Sequence, residues 1–229
     1  MKSILTTLLL CISMSVSAQL GVTKFLGIPV DGYKNEMIKK LKAKGFTDSV
    51  LGNDMLEGEF NGEKVYLSVV TNNNKVYRIA VIDQNPRGET DIKIRFNDLC
   101  DQFQNNAKYT PMSYTDYKIN KNEDIGYEII VNDKRYEADF MQRPEITDSI
   151  TLKEVIKERL LQNYTEEQLS NPSEDIKKAE ITAYSEYYVD KLSKNAVWFM
   201  ISKSLITPTK YTILMYYDNL NNQANGEDL

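Results

Sequence analysis

The dipeptide Asn61-Gly62 constrains this chain most, because Asn-Gly closes a two-residue β-hairpin in which both central residues take positive φ. The sequence alternates on either side of it. Val65, Leu67 and Val69 occupy every second position of the stretch Glu63 to Val70, which places them on one face of a strand, and Met55 to Phe60 supplies the partner. A third strand is expected over Lys75 to Asp83, reached through Asn72-Asn73-Asn74, since asparagine tolerates the left-handed backbone. Ahead of the strands, Met37, Ile38 and Leu41 have helical spacing, with lysines in the last turn and Gly45 where a helix stops. The expectation is a helix followed by an antiparallel meander.

The same order recurs downstream. Ile92, Phe96, Leu99, Cys100 and Phe103 form one apolar helix face, and strands are expected over Tyr109 to Ile119, Ile125 to Val131 and Lys134 to Met141, with Asn132-Asp133 as a tight turn. Pro144 breaks the pattern, after which Leu152, Val155, Ile156 and Leu160 return to helical spacing. Ser173 is an N-cap for a second helix, whose Ile181, Tyr184, Tyr188 and Leu192 lie three or four apart. Two strands close the chain: Ala196 to Ser202, apolar on both faces and therefore interior, and Lys210 to Asp218, with Thr207-Pro208 at the turn between them.

These elements give an α+β fold with two helix-plus-antiparallel-β-meander units, over residues 19–86 and 87–142. A helical segment, 143–194, and a C-terminal β-hairpin, 195–218, packing on the second unit, follow before a polar tail, 219–229. A single irregular α+β domain is the alternative arrangement.

Residues 1–18 read as a secretory signal peptide. Lys2 precedes an apolar stretch from Ile4 to Met14 that is too short to span a bilayer, and Val16-Ser17-Ala18 has the small residues a signal peptidase reads. Cleavage is expected between Ala18 and Gln19. Cys11 does not sit in a lipobox, because Leu10 precedes it and the apolar run continues beyond it. The mature product is expected in the periplasm or outside the cell, with no transmembrane segment.

Composition then removes most chemistry. The chain has no histidine, so it can build no Ser-His-Asp or Cys-His arrangement and no His-ligated metal. Of its two cysteines, Cys11 leaves with the signal, and Cys100 alone can form neither an internal disulfide nor a cysteine zinc site. Its 33 acidic residues outnumber 28 basic ones with both signs interspersed, which argues against nucleic acid as a partner. Nucleotide-binding loops and the Ser-x-x-Lys spacing are missing as well, and no cofactor is expected.

Two acidic patterns remain. Glu57 and Glu59 alternate onto one strand face, where a glycosidase pair could be built, although Lys64 nearby fits a solvated strand face. Asp83 to Gly88 resembles the start of a calcium loop, but Arg87 and Ile94 occupy ligand positions, so it reads as a strand-to-helix turn.

Tyrosine is the one unusual abundance, at 15 residues. Tyr184, Tyr187, Tyr188, Tyr211, Tyr216 and Tyr217 gather with Trp198 near the C-terminus, and such side chains offer broad contact area with a polar tip at small entropic cost. They are the candidate binding face. The competing reading is that they line the edge of the core.

Several stretches are similar to a known group. Phe25-Leu26-Gly27-Ile28-Pro29-Val30-Asp31-Gly32, Lys44-Gly45-Phe46, Leu56-Glu57-Gly58-Glu59-Phe60, Val70 to Val76 and the ending Asn225-Gly226-Glu227-Asp228-Leu229 resemble uncharacterised secreted proteins of gut bacteria of the Bacteroidetes type, over nearly the full length. The resemblance implies export and no particular activity, substrate or site. Within such a group, Asp48-Ser49-Val50 and Asp148-Ser149-Ile150 are similar to the acceptor motif for periplasmic O-glycosylation, at Ser49 and Ser149. A helix followed by a β-meander in tandem also looks like the units of the beta-lactamase inhibitor protein fold and of small outer-membrane assembly lipoproteins. That likeness is architectural and carries no function.

The reading that survives is an exported, non-catalytic module that binds a protein or glycan of the cell envelope. A carboxylate-dependent glycan-active enzyme and a structural envelope component are the alternatives.

Overall fold

The structure is a computed structural model and describes residues 21–224 except 53, 114, 146–148 and 205, with only the backbone of 149 and 150. The expected signal peptide and its cleavage point, Ala18-Gln19, lie outside the described residues, as does the end of the polar tail.

The chain enters as a small ribbon, β1 (Lys24–Phe25) paired with β2 (Ile28–Pro29). Next come helix α1 (Lys34–Ala43) and strands β3 (Thr47–Asp48), β4 (Met55–Phe60), β5 (Glu63–Asn72) and β6 (Lys75–Asp83). Asn61 and Gly62 take φ of 53° and 76°, so the turn has both central residues left-handed, and Phe60 pairs with Glu63 across it. Asn73 and Asn74 make the next turn in the same way.

Helix α2 (Glu89–Gln104) leads to β7 (Tyr109–Pro111), helix α3 (Ile125–Val131) and β8 (Glu137–Gln142). Three helices follow, α4 (Ser149–Leu160), α5 (Glu166–Ser170) and α6 (Glu174–Ser193), before β9 (Ala196–Lys203), β10 (Tyr211–Asp218) and a 3-10 turn at Leu220–Asn222. Six α-helices and ten strands among the described residues make an α+β fold.

Eight strands form one antiparallel sheet in the order β3-β4-β5-β6-β10-β9-β8-β7. Strands β3 to β6, after α1, form one half of the sheet, and β7 to β10, after α2 and interrupted by α3 to α6, form the other; β6 and β10 meet at the middle, where Met215 pairs with Val81 and Tyr217 with Ile79. The hairpin β9–β10 supplies the last two strands of the second set and joins it to the first.

Three local expectations are corrected. Residues Ile125–Val131 are a helix and not a strand. The Asp124 side chain accepts a hydrogen bond from the Tyr127 N–H and so caps the helix. The buried Lys93 ammonium donates to the carbonyls of Lys121 and Glu123, which fixes the loop that leads into it. Asn132 ends the helix and Asp133 takes φ of 50°, so the pair expected to turn a hairpin terminates a helix instead. The strand expected over Tyr109 to Ile119 is only three residues long.

The third correction concerns α6. It buries Ala183 and Tyr187 against Leu152, Ile156 and Leu160 of α4, while Ile181 and Tyr184, from the face expected to pack, are exposed. The helix carries apolar residues on two sides, and the side with Ala183 and Tyr187 is the one that packs.

One face of the sheet is covered. Met37 and Leu41 of α1 and Ile92, Phe96, Leu99, Cys100 and Phe103 of α2 pack on Val65, Leu67, Val69, Ile79, Val81, Ala138, Phe140, Val197, Phe199, Ile213 and Met215. Phe96 and Phe103 meet Phe199 edge-on or tilted, at 5.3 and 5.4 Å between ring centroids. The entering chain is stitched to the C-terminal strand: the Thr23 hydroxyl donates to the Asp218 carbonyl, and Asn219 donates to the Val30 carbonyl. Asp83, read above as a turn residue, lies between Arg87 and Arg95 where α2 begins.

Candidate functional site on the open sheet face

Alternation along the strands gives the sheet a second face, and among the described residues no helix packs on it as α1 and α2 pack on the first. On β5 the buried residues Val65, Leu67 and Val69 alternate with half-buried Tyr66, Ser68 and Val70. β9 behaves likewise, with Val197, Phe199 and Ile201 buried and Trp198, Met200 and Ser202 half-buried. Register places Tyr66 beside Ile82, Ile82 beside Leu214, Leu214 beside Met200, Tyr216 beside Trp198 and Trp198 beside Asp139. An aromatic and aliphatic stripe therefore crosses the centre of this face from β5 to β9.

At its heart is a cation held between rings. Arg78 of β6 donates from Nε and Nη2 to the two carboxylate oxygens of Asp218, at 2.6 and 2.7 Å. The Asp218 side chain is 3% exposed, and the Trp198 indole N–H also donates to it, at 3.0 Å. The guanidinium lies 4.6 Å from the Tyr216 ring centroid and 5.4 Å from that of Trp198, whose rings are 4.3 Å apart. The Asp218 carboxylate raises Arg78 above its ordinary value, against the opposing effect of burial. This network locks the orientation of Trp198 and Tyr216, so their exposed edges are presented without further loss of side-chain entropy.

Asp139 lies on the same face and is different. Its carboxyl is pushed above the usual carboxylate range by burial, and Glu137 beside it adds to the shift while Arg135 opposes it. Arg135 bonds to Glu137, at 2.7 Å. The Asp139 backbone carbonyl accepts from the Tyr117 hydroxyl and the Met112 N–H.

The seven aromatic residues expected to form one surface separate into three places. Trp198 and Tyr216 share the open face. Tyr217 points to the other side of the sheet and packs on Phe25 at 5.0 Å, and Tyr211 is buried at the end of the same strand. Tyr187 is buried in the helical cluster, with Arg159 and Lys191 over its ring, while Tyr184 is exposed and Tyr188 half-buried on α6. Sequence reasoning missed Arg78, Tyr66, Met200 and Asp139. The period-two pattern of β5 and β6 could have supplied Tyr66 and Arg78, but their partners on β8, β9 and β10 depend on the strand order.

The remaining expected residues fall elsewhere. Glu57 and Glu59 also point to the open face, opposite Tyr66 and Lys64. Ser49 is buried, its hydroxyl accepting from the Leu51 N–H, and Ser149 is the first residue of α4. Cys100 is wholly buried, and burial pushes its thiol up to about 12. Among the described residues no group of three acidic or sulfur side chains is arranged to hold a metal, and no helix is long and apolar enough to cross a membrane.

No family model matches this chain, and no curated protein and no solved structure is significantly similar to it.

Proposed function

We propose that this chain is a non-catalytic binding module of the cell envelope, exported by the segment 1–18, and that it takes its partner on the open face of the sheet. One observation carries the reading. Trp198 and Tyr216 are fixed there by the Arg78–Asp218 pair, within a stripe that includes Tyr66, Ile82, Leu214 and Met200. Aromatic anchors immobilised before contact, with a buried charge pair behind them, are the makings of an interface hot spot. The two halves of the sheet are read as an internal repeat, whose central junction β6–β10 lies under this stripe.

The test replaces the contact surface without touching its support. Tyr66→Ala with Met200→Ala should abolish retention of the mature protein by envelope fractions of the producing cells, with the thermal transition little changed. Full retention by the folded variant would place the site elsewhere.

A further inference from the structure

We infer that the partner on the open face is a protein that sets cationic side chains on the two flanks of the aromatic stripe. This rests on the binding role proposed above and concerns the chemistry of the partner.

The face has one cation near its centre, Arg78, and Asp218 already neutralises it with two hydrogen bonds. On one flank Glu59 stands across from Lys64 in the strand register, without a direct ion pair, and on the other Glu137 is bonded to Arg135, so each has a cation beside it. Two carboxylates are left. Glu57 of β4 faces the neutral Tyr66, and Asp139 of β8 faces Trp198. Neither has an ion-pair or hydrogen-bond partner for its carboxylate among the described residues; Asp139 is partly desolvated beside Glu137, and Arg135, bonded to Glu137, offsets this only in part. Five strand spacings separate β4 from β8, which is roughly 24 Å across the sheet.

A surface with a dry aromatic centre and an unmatched anion on each flank is complementary to an apolar patch bordered by Lys or Arg. At Asp139 the cation would gain the carboxylate, the neighbouring Glu137 and the open side of the Trp198 ring together. Anionic phospholipid and nucleic acid are disfavoured by the same carboxylates. A neutral glycan could use the rings but would leave Asp139 desolvated and unmatched.

The experiment uses the full chain in the producing cells, with the photoreactive residue p-benzoylphenylalanine placed at Met200 or, as a control, at Ile181 on the exposed side of α6. Adducts are quantified and sequenced by mass spectrometry in the wild-type background and with Asp139→Lys, Glu57→Lys, Asp139→Asn and, as a charge control away from the face, Glu158→Lys. The expected result is a Met200 adduct to a protein segment containing Lys or Arg. Its yield should fall about tenfold or more with Asp139→Lys or Glu57→Lys, less with Asp139→Asn, and stay unchanged with Glu158→Lys.

A Met200 adduct whose yield ignores both face reversals, or one formed with a glycan or lipid, overturns the cationic-partner inference and leaves the binding face standing. An adduct formed from Ile181 and none from Met200 overturns both.

Discussion

The ion pair behind the aromatic stripe can be broken from one side, and the cost follows from its burial. In Asp218→Ala the guanidinium of Arg78, 23% exposed, loses both hydrogen bonds and its counter-charge but stays under the rings of Trp198 and Tyr216. Leaving one member of a buried pair uncompensated costs about 3–5 kcal/mol, and the residual exposure of Arg78 puts this site at the lower end, near ~3 kcal/mol. The Trp198 indole N–H loses its acceptor as well, while the bond from the Thr23 hydroxyl survives because it goes to the backbone carbonyl. At about 2–4 °C per kcal/mol for a chain of this size, the melting temperature should fall by roughly 6–12 °C. Urea unfolding followed by the fluorescence of Trp198, the single tryptophan, and by circular dichroism measures the loss. The double variant Arg78→Met/Asp218→Leu should return to within about 1 kcal/mol of the parent, since it removes both charges together. A loss below about 1 kcal/mol for Asp218→Ala alone would refute the claim that this pair fixes the centre of the face.

Three further outcomes are expected. Asp139→Asn should stabilise the chain near neutral pH and lose that advantage as the pH falls toward about 4. A carboxyl raised in the folded state binds more protons there than in the unfolded chain, so its burden on stability grows as pH rises through that window. Parallel urea titrations of the two proteins at pH 4 and pH 7 check it, and a constant difference would contradict the desolvated placement of Asp139. Gly62→Ala should cost about 1–2 kcal/mol, because φ is 76° at that position, and an unchanged denaturation midpoint would refute the left-handed turn. Cys100, raised to about 12 and wholly buried, should react with an aromatic disulfide reagent at pH 8 only after denaturation, whereas immediate stoichiometric labelling of the native chain would contradict its burial between α2 and the sheet.

The first half of the sheet was legible in the sequence because its signals are local. Asn61-Gly62 fixes a register, and the alternation of Val65, Leu67 and Val69 fixes which face is buried. Helix α2 was equally legible from its five-residue apolar face. The errors arose where a local signal had two meanings. Asn132-Asp133 serves a hairpin or a helix end equally well; the Asp124 cap is a local contact, but the Lys93 ammonium that fixes the preceding loop lies about 30 residues away in sequence. On α6 the stripe Ile181, Tyr184, Tyr188 and Leu192 is as apolar as the one that packs, so periodicity alone could not choose between them. Trp198 was found by composition, but its companions were not. The crossing of β6 with β10 brings Arg78 to Asp218 over a separation of 140 residues, and nothing short-range in the sequence records that pairing.

Oxidative footprinting of the open face tests the binding claim most directly. Purified mature protein and intact producing cells are exposed to the same pulse of hydroxyl radical, and modification is compared at Tyr66, Trp198, Met200, Leu214 and Tyr216 on the face and at Ile181, Tyr184 and Val189 on α6. A partner seated on the sheet should protect the first group in cells and leave the second unchanged. Equal modification of the first group in both samples, with protection on α6, would contradict the account.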